Sequence, residues 1–163
     1  MDAIALLEQQ HRDLDALFET VRSEERPAFR TRAMVNLVCG IEAHLRVEEV
    51  FLYPACADRM DGDRERLYEA VEVNALLVMG AGKLLRTRAT DVRCAAKVKL
   101  LRELFARHVS EEDAWLFESA KRTLTDEQLE DIGRSIERSH ALLLDLKLPS
   151  AEKVSQDSVA PHA

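Results

Sequence analysis

The apolar residues of this chain recur at helical spacing in separate blocks. The first block is one seam with intervals of three, seven, four and three residues, and its members are Ile4, Leu7, Leu14, Phe18 and Val21. His11 stands in the single gap of this seam. The spacing predicts a first helix over about residues 2–22. A second seam follows Pro27, a residue typical of a helix start, and predicts a helix over about residues 28–53.

Two more seams lie beyond a polar stretch at residues 55–66, which we predict to be a loop. They predict a third helix from about residue 64 to 88 and a fourth helix, N-capped by Asp91, that ends at about residue 122. Long helices with short connections are typical of antiparallel bundles. The predicted fold is therefore all-α, an up-down-up-down four-helix bundle.

A fifth helix is predicted at the C-terminal end of the bundle. Thr125 with Gln128 three residues later forms a capping-box pattern, and apolar residues at helical spacing follow over about residues 126–146. We expect this helix to pack on the bundle, which gives one domain over residues 1–146 with its first four helices in residues 1–122. Residues 147–163 show no periodicity, and we expect a disordered tail there.

Composition excludes several classes of protein. With 5 Gly and 4 Pro, the chain has too few turn residues for an all-β fold. The formal net charge is -7 and acids alternate with bases, which argues against a nucleic-acid partner. No apolar stretch reaches the roughly 18 residues of a membrane span, and the N-terminal residues do not resemble a signal peptide, so we expect a cytoplasmic protein without a membrane partner.

The three cysteines suggest neither a disulfide framework nor a zinc knuckle, because their number is odd and no CxxC motif occurs. Cys39 and Cys94 lie near helix seams, and we expect them to be small buried residues. Cys56 falls in the predicted loop, where it is a candidate for an exposed thiol.

Candidate chemistry appears where polar residues interrupt the apolar seams. His11 does so on the first helix, the pair His44 and Glu48 on the second, and the pair His108 and Glu112 on the fourth. Residues four apart share a helix face, so each HxxxE pair directs an imidazole and a carboxylate into the bundle.

These polar positions also stand at one level of the predicted bundle. Counted from the turns that join the helix pairs, His11, His44, Asn74 and His108 lie at similar heights. Burial of three imidazoles and two carboxylates at one level would cost several kcal/mol per uncompensated charge unless something binds them, and a metal ion would remove this cost. Nitrogen and oxygen ligands without thiolate suit iron or manganese, and they are compatible with zinc.

The segments HLRVEEVFLYP from His44 and HVSEEDAWLF from His108, together with His11, resemble the hemerythrin-like, or HHE cation-binding, family. The resemblance spans about residues 1–122. It implies a non-haem di-iron centre in a four-helix bundle that binds O2, NO or peroxide, or senses iron or redox state. His11, His44 and His108 are the implied terminal ligands, and Glu48 and Glu112 the implied bridging carboxylates.

One part of the family pattern is missing, because the histidine expected on the third helix aligns with Asn74. An amide offers only a carbonyl oxygen, a poor ligand for a transition metal. We therefore expect one iron of the pair to be weakly held or absent. His140 on the fifth helix is a second candidate for the missing ligand, although an amphipathic packing role is the simpler interpretation.

The function predicted from these observations is iron-dependent binding or sensing of a small diatomic or peroxide ligand. Two other functions stay open: a peroxidase-type or oxidase-type enzyme, and a metal-free bundle whose polar layer fixes helix register and which binds another protein. Aromatic residues near the motifs are candidates for shielding the site, and these are Phe51, Tyr53, Trp115 and Phe117. Glu49 and Glu111 are candidates for contacts with the ligands.

Overall fold

A computed structural model describes residues 1–57 and 64–159 of the chain. Over these residues the fold is all-helical and forms five rods. Their α-helices are α1 (Ala3–Ser23), α2 (Pro27–Val47), α3 (Tyr53–Ala57), α4 (Arg64–Leu85), α5 (Cys94–Glu111), α6 (Glu118–Thr123) and α7 (Asp126–Val159). A π-helical turn, Glu48–Leu52, joins α2 to α3, and a second, Glu112–Phe117, joins α5 to α6. The predicted bundle with a fifth helix is confirmed.

The helix ends are set by local hydrogen bonds. The Asp2 carboxylate accepts a hydrogen bond from the Ala5 amide at 2.9 Å and caps α1. The predicted capping box is confirmed, because Gln128 Oε1 accepts from the Thr125 amide at 3.0 Å and Thr125 Oγ1 accepts from the Gln128 amide at 3.2 Å. The predicted N-cap at Asp91 is wrong, since its carboxylate accepts from the Arg93 amide and closes a turn just before α5.

The core has two large apolar clusters stacked along the bundle. One contains Phe18, Leu37, Ile41, Leu77 and Leu101, and the other contains Leu7, Leu52, Leu116, Phe117 and Ile136. On each of α1, α2 and α5, the polar residue that interrupts the seam lies where one cluster ends and the other begins. The apolar clusters therefore enclose a single polar layer.

Helix α7 packs along α1 and α2. Its N-terminal half approaches the start of the chain so closely that a Cβ on Gly133 would lie 2.5 Å from the Met1 carbonyl oxygen. The predicted end of this helix near residue 146 is wrong, because α7 continues to Val159. The apolar face continues with it, as Leu148 and Ala151 pack with Val35 and Cys39 of α2. Residues 160–163 of the predicted tail lie outside the described residues.

The burial of the three cysteines differs from the prediction at one position. Cys39 and Cys94 are buried as predicted, but the predicted exposure of Cys56 is wrong: it lies in α3 and is fully buried in the second cluster. Of the predicted loop at residues 55–66, Ala55 to Ala57 and Arg64 to Arg66 are helical, and residues 58–63 lie outside the described residues. None of the described helices combines the length and apolarity needed to cross a membrane.

Candidate metal centre

Five side chains from three rods converge in the polar layer, and they are the five predicted ligands. These are His11, His44, Glu48, His108 and Glu112. One potential ligand atom of each lies within 4.8 Å of those of all the others. All five residues are buried, and His44 and Glu48 have no exposed surface at all. Seam positions far apart in the sequence thus form one compact cluster.

Each glutamate of the cluster is the first residue of a π-helical turn. Within each HxxxE motif the helix is still α-helical, since the Glu48 amide donates to the His44 carbonyl and the Glu112 amide donates to the His108 carbonyl. The Tyr53 amide then donates to the Glu48 carbonyl five residues earlier. Such a turn inserts one residue into the helical repeat and rotates the residues beyond it. The fifth residue after Glu48, Tyr53, consequently points to the same side as the glutamate.

The imidazole edges face the two carboxylates. His44 Nε2 lies 2.9 Å from Glu48 Oε1, and His11 Nε2 lies 3.7 Å from the same oxygen and 3.5 Å from Glu112 Oε2. His108 Nε2 lies 3.6 Å from Glu48 Oε2 and 3.4 Å from Glu112 Oε2. Glu48 therefore turns a different oxygen to each side of the cluster, while Glu112 presents Oε2 alone.

None of these facing atoms has a hydrogen-bond partner of acceptable geometry among the described residues. The unpartnered atoms are His11 Nε2, His44 Nε2, His108 Nε2, both oxygens of Glu48 and Glu112 Oε2. A buried polar group without a partner costs about 1–3 kcal/mol, and a charged group costs more. Ligand atoms that point at a common centre without bonding one another fit a cation. The residues of this layer therefore fit a metal ion.

A glutamine that the sequence analysis missed orients one of the imidazoles. The buried side chain of Gln10 accepts a hydrogen bond through Oε1 from Nδ1 of His44 at 2.9 Å. With Nδ1 carrying the proton, the Nε2 lone pair of His44 faces the cluster, as ligand histidines require. The only signal in the sequence is that Gln10 lies three residues after Leu7 on the buried side of the first helix.

Asn74 lies next to the cluster, and its Oδ1 atom has no hydrogen-bond partner among the described residues. Its Nδ2 group donates to Tyr53 Oη at 3.3 Å and to Glu49 Oε1 at 3.2 Å, and Tyr53 in turn donates to Glu112 Oε1 at 2.8 Å. Asn74 is completely buried. At the third-helix position where the family pattern has a histidine, this chain therefore has Asn74, which forms a hydrogen-bonded network with Tyr53.

The other candidate residues lie outside the five-residue cluster. His140 is half-buried on α7, where burial lowers its pKa, and it is not part of the five-residue cluster. Glu111 pairs with Arg107 at 2.8 Å near the surface. Phe117 stacks on His11 with ring centroids 5.8 Å apart, so it shields the site as predicted.

The buried charges shift one another's pKa. Burial alone would lower the pKa of His11, but the carboxylates of Glu112 and Glu48 outweigh it and raise that pKa to about 9. Burial would raise the pKa of Glu48, but the neighbouring His44 and His108 hold it well below the usual range. Burial and the charge of Glu48 raise the pKa of Glu112 to about 6. Without a metal ion, the raised pKa of His11 keeps a proton on that imidazole, and this proton supplies positive charge beside the two carboxylates.

A small cavity leads from the surface to one side of the cluster. Its volume is about 110 Å³, and it is lined by His108, Glu112, Trp115, Arg66, Glu69 and Glu111, among others. The guanidinium of Arg66 lies over the Trp115 ring, 4.8 Å from its centroid, at this entrance. A cavity of this size holds only a few water molecules, so it admits a ligand of a few atoms.

A helical bundle with inward-facing histidines and carboxylates at one level defines a metal-binding bundle protein. The sequence model of the family "Hemerythrin HHE cation binding domain" matches residues 2–120. This chain belongs to the hemerythrin HHE cation-binding domain family, as its motifs predicted.

A solved structure shares the fold. The crystal structure of a hemerythrin HHE cation binding domain-containing protein from Mycobacterium kansasii matches with a TM-score of 0.80 and 16% sequence identity, over 98% of this chain and 99% of that one. At this identity the similarity concerns the fold alone. A search of curated proteins gave no significant match.

Proposed function

We propose that this protein binds iron through His11, His44, Glu48, His108 and Glu112 and uses it to bind or sense a small ligand. The observation that carries the proposal is the convergence of five buried ligand atoms, all within 4.8 Å of one another and without hydrogen-bond partners among the described residues. Family membership supports a cation at this place.

The donor set supports iron. Three imidazoles and two carboxylates contain no thiolate, and carboxylate-rich sites of this kind suit iron or manganese. Structural zinc sites are almost always four-coordinate. Five convergent donors exceed that number, so iron is favoured over zinc.

The spacing of the donors supports one ion per chain. A metal bound to nitrogen and oxygen at about 2.1 Å has its opposite ligands roughly 4.2 Å apart. The 4.8 Å limit on the five ligand atoms is close to that span. Asn74 stands at the position where a second ion would need its histidine, and its Nδ2 group donates hydrogen bonds to Tyr53 and Glu49.

The surroundings support a small exogenous ligand. Iron held by these five residues would supply the chemistry that binds O2, NO or peroxide. The cavity of about 110 Å³ reaches His108 and Glu112, and it has room for a ligand of a few atoms. Phe105 packs against His11 and His108, and Phe117 packs against His11, on other sides of these rings.

The test is elemental analysis of protein purified from iron-supplemented cells, with absorption spectra recorded in air, after reduction and after addition of NO. We expect about one iron per chain and a reversible spectral change with NO or O2. Protein that holds no metal, or that selects zinc when both metals are supplied, contradicts the proposal. Peroxide consumption that rises in proportion to bound iron would assign the enzymatic function instead of reversible binding.

A further inference from the structure

A pocket separate from the metal centre lies between α1 and α5. Its volume is about 350 Å³, within the range of roughly 300–1,000 Å³ that is usual for small-molecule sites. Its floor is apolar and buried, and consists of Phe18, Val21, Cys94 and Val98. The five clustered His and Glu side chains are not part of its lining. The function proposed for the metal centre therefore does not account for this pocket.

The pocket is elongated along α5. Its lining on this helix extends from Cys94 to Ala106, a distance of about 18 Å at the rise of an α-helix. Two of the lining residues on α5, Ala95 and Ala106, have small side chains that leave space beside α1. A volume of about 350 Å³ that extends over this length favours a linear chain over a compact ring system.

Charged side chains also line the pocket, and cations outnumber acids among them. These residues are Arg22, Arg30, Lys99, Arg102 and Glu103. Three of the cations pair with neighbouring acids: Arg22 with Glu19, Lys99 with Glu103, and Arg102 with both Asp15 and Glu19. The fourth cation, Arg30, has no acidic partner among the described residues. The pocket therefore keeps one positive charge that no carboxylate compensates.

The guanidinium of Arg30 is half-buried and held in place by backbone carbonyl groups. Its Nε donates to the carbonyl of Val21 at 3.0 Å, Nη1 to that of Ala89 at 3.2 Å, and Nη2 to that of Arg22 at 3.4 Å. A guanidinium has five N–H donors, so one remains on Nη1 and one on Nη2. Because the group is already fixed, little side-chain entropy is lost when an anion binds to it.

The positive end of a helix dipole lies at the same end of the pocket as Arg30. Helix α5 begins at Cys94, whose side chain lines the pocket, and the start of a helix favours a negative charge. Arg30 and Lys97 are neighbouring positive charges of the Cys94 thiol. Asp91 is an acid in the same region, and its carboxylate pairs with Arg93 at 2.9 Å. This end of the pocket is therefore complementary to an anion.

We propose that the pocket binds a medium-chain aliphatic carboxylate. The carboxylate accepts hydrogen bonds from the two remaining N–H groups of Arg30, since a guanidinium matches the two oxygens of a carboxylate. The alkyl chain lies on the apolar floor and extends along α5 towards Ala106. A polar ligand of the same size would lose its hydrogen bonds to water on this floor. The site contains no residue of the metal centre, so the two proposals can fail separately.

The test is a calorimetric titration of the full chain with decanoate, and with methyl decanoate as its uncharged analogue. We expect saturable one-to-one binding of decanoate with a Kd on the order of 10–100 μM. Methyl decanoate should bind about tenfold more weakly or less, because it cannot pair with Arg30 as an anion. A protein that shows no saturable binding of decanoate up to about 1 mM, or equal affinity for the two compounds, would overturn the proposal.

Variants locate the site, with circular dichroism as the folding check. Ala95→Trp should abolish decanoate binding, because the indole fills the pocket. Ala96→Trp is the matched control, since Ala96 is also exposed on α5 but does not line the pocket. Arg30→Gln should weaken decanoate binding about tenfold or more and leave methyl decanoate binding unchanged. If Arg30→Gln does not fold, the two tryptophan variants decide. Unchanged decanoate binding in Ala95→Trp or in folded Arg30→Gln, or equal loss in Ala96→Trp, contradicts this site.

Discussion

The Tyr53 hydroxyl donates a hydrogen bond to Oε1 of Glu112 over 2.8 Å, between residues of two different rods. This bond engages one oxygen of the carboxylate and leaves Oε2 facing His11 and His108. Both oxygens of Glu48, in contrast, face the cluster without a hydrogen bond. Tyr53 therefore makes the two glutamates of the centre inequivalent, although their sequence motifs are alike.

Replacing Tyr53 by phenylalanine removes this hydrogen bond with little change in volume. We expect the free energy of unfolding to fall by about 1.5–3 kcal/mol, the range for a hydrogen bond to a charged group. Iron content should be retained, while affinity for NO should change because Glu112 becomes free to turn its second oxygen to the metal. Urea denaturation and NO titration measure the two effects. Tyr68→Phe, at the exposed second tyrosine, is the control, and equal behaviour of both variants would show that the bond is unimportant.

Replacing His44 by alanine should abolish stoichiometric metal binding. His44 is fully buried, Nε2 faces the other ligands, and Gln10 holds the ring in position. His140→Ala should leave metal content unchanged, because His140 lies outside the cluster. Elemental analysis of both variants measures the metal bound per chain. Full metal content in the first, or loss in the second, would mean that the ligand set is different.

Replacing Asn74 by histidine should raise the iron content from about one to about two per chain. The substitution supplies the imidazole that the family pattern has on the third helix, at a fully buried position next to Tyr53. Because histidine is larger than asparagine, we expect a loss of about 1–3 kcal/mol in the metal-free protein. Asn36→His, on the exposed side of α2, is the matched control. An unchanged iron content in both variants would show that Asn74 does not limit the number of ions.

Chelation should lower the thermal stability of the protein. An ion that binds only the folded state at a concentration about 1,000 times its dissociation constant contributes about 4 kcal/mol. For a chain of this length, that corresponds to a fall in Tm on the order of 10 °C. Calorimetry before and after treatment with a chelator measures this change in Tm. Glu48→Gln should show no such difference, since it lacks the central carboxylate; an equal fall in that variant would place the effect outside the metal centre.

Much of the fold was predictable from local patterns. The apolar seams at intervals of three and four located four of the five rods within a few residues, because helix geometry makes such positions share a face. The fifth rod was located by its capping box, but its end was misplaced. Pro149 and the polar residues after it indicated a helix end, whereas packing of Leu148 and Ala151 on α2 continues the helix.

The clustering of the five candidate ligands was also predictable, for a similar reason. Each HxxxE pair lies within one α-helical turn, so its residues share a face whatever the rest of the fold does. The interruption of an apolar seam by His11 marked the third element of the site. What made these signals specific was their common level in an antiparallel bundle, which can be counted from helix lengths alone.

The sequence by itself determined the bundle, its family and the five residues that cluster in the polar layer, because these depend on helical periodicity and on the distance along each helix. The tertiary structure alone decided what surrounds the ligands. Gln10, Tyr53 and Asn74 reach their partners across rods, and the π-helical turn after Glu48 rotates Tyr53 out of the regular repeat. Contacts across helices depend on packing and on such insertions, neither of which the periodicity of a single helix encodes.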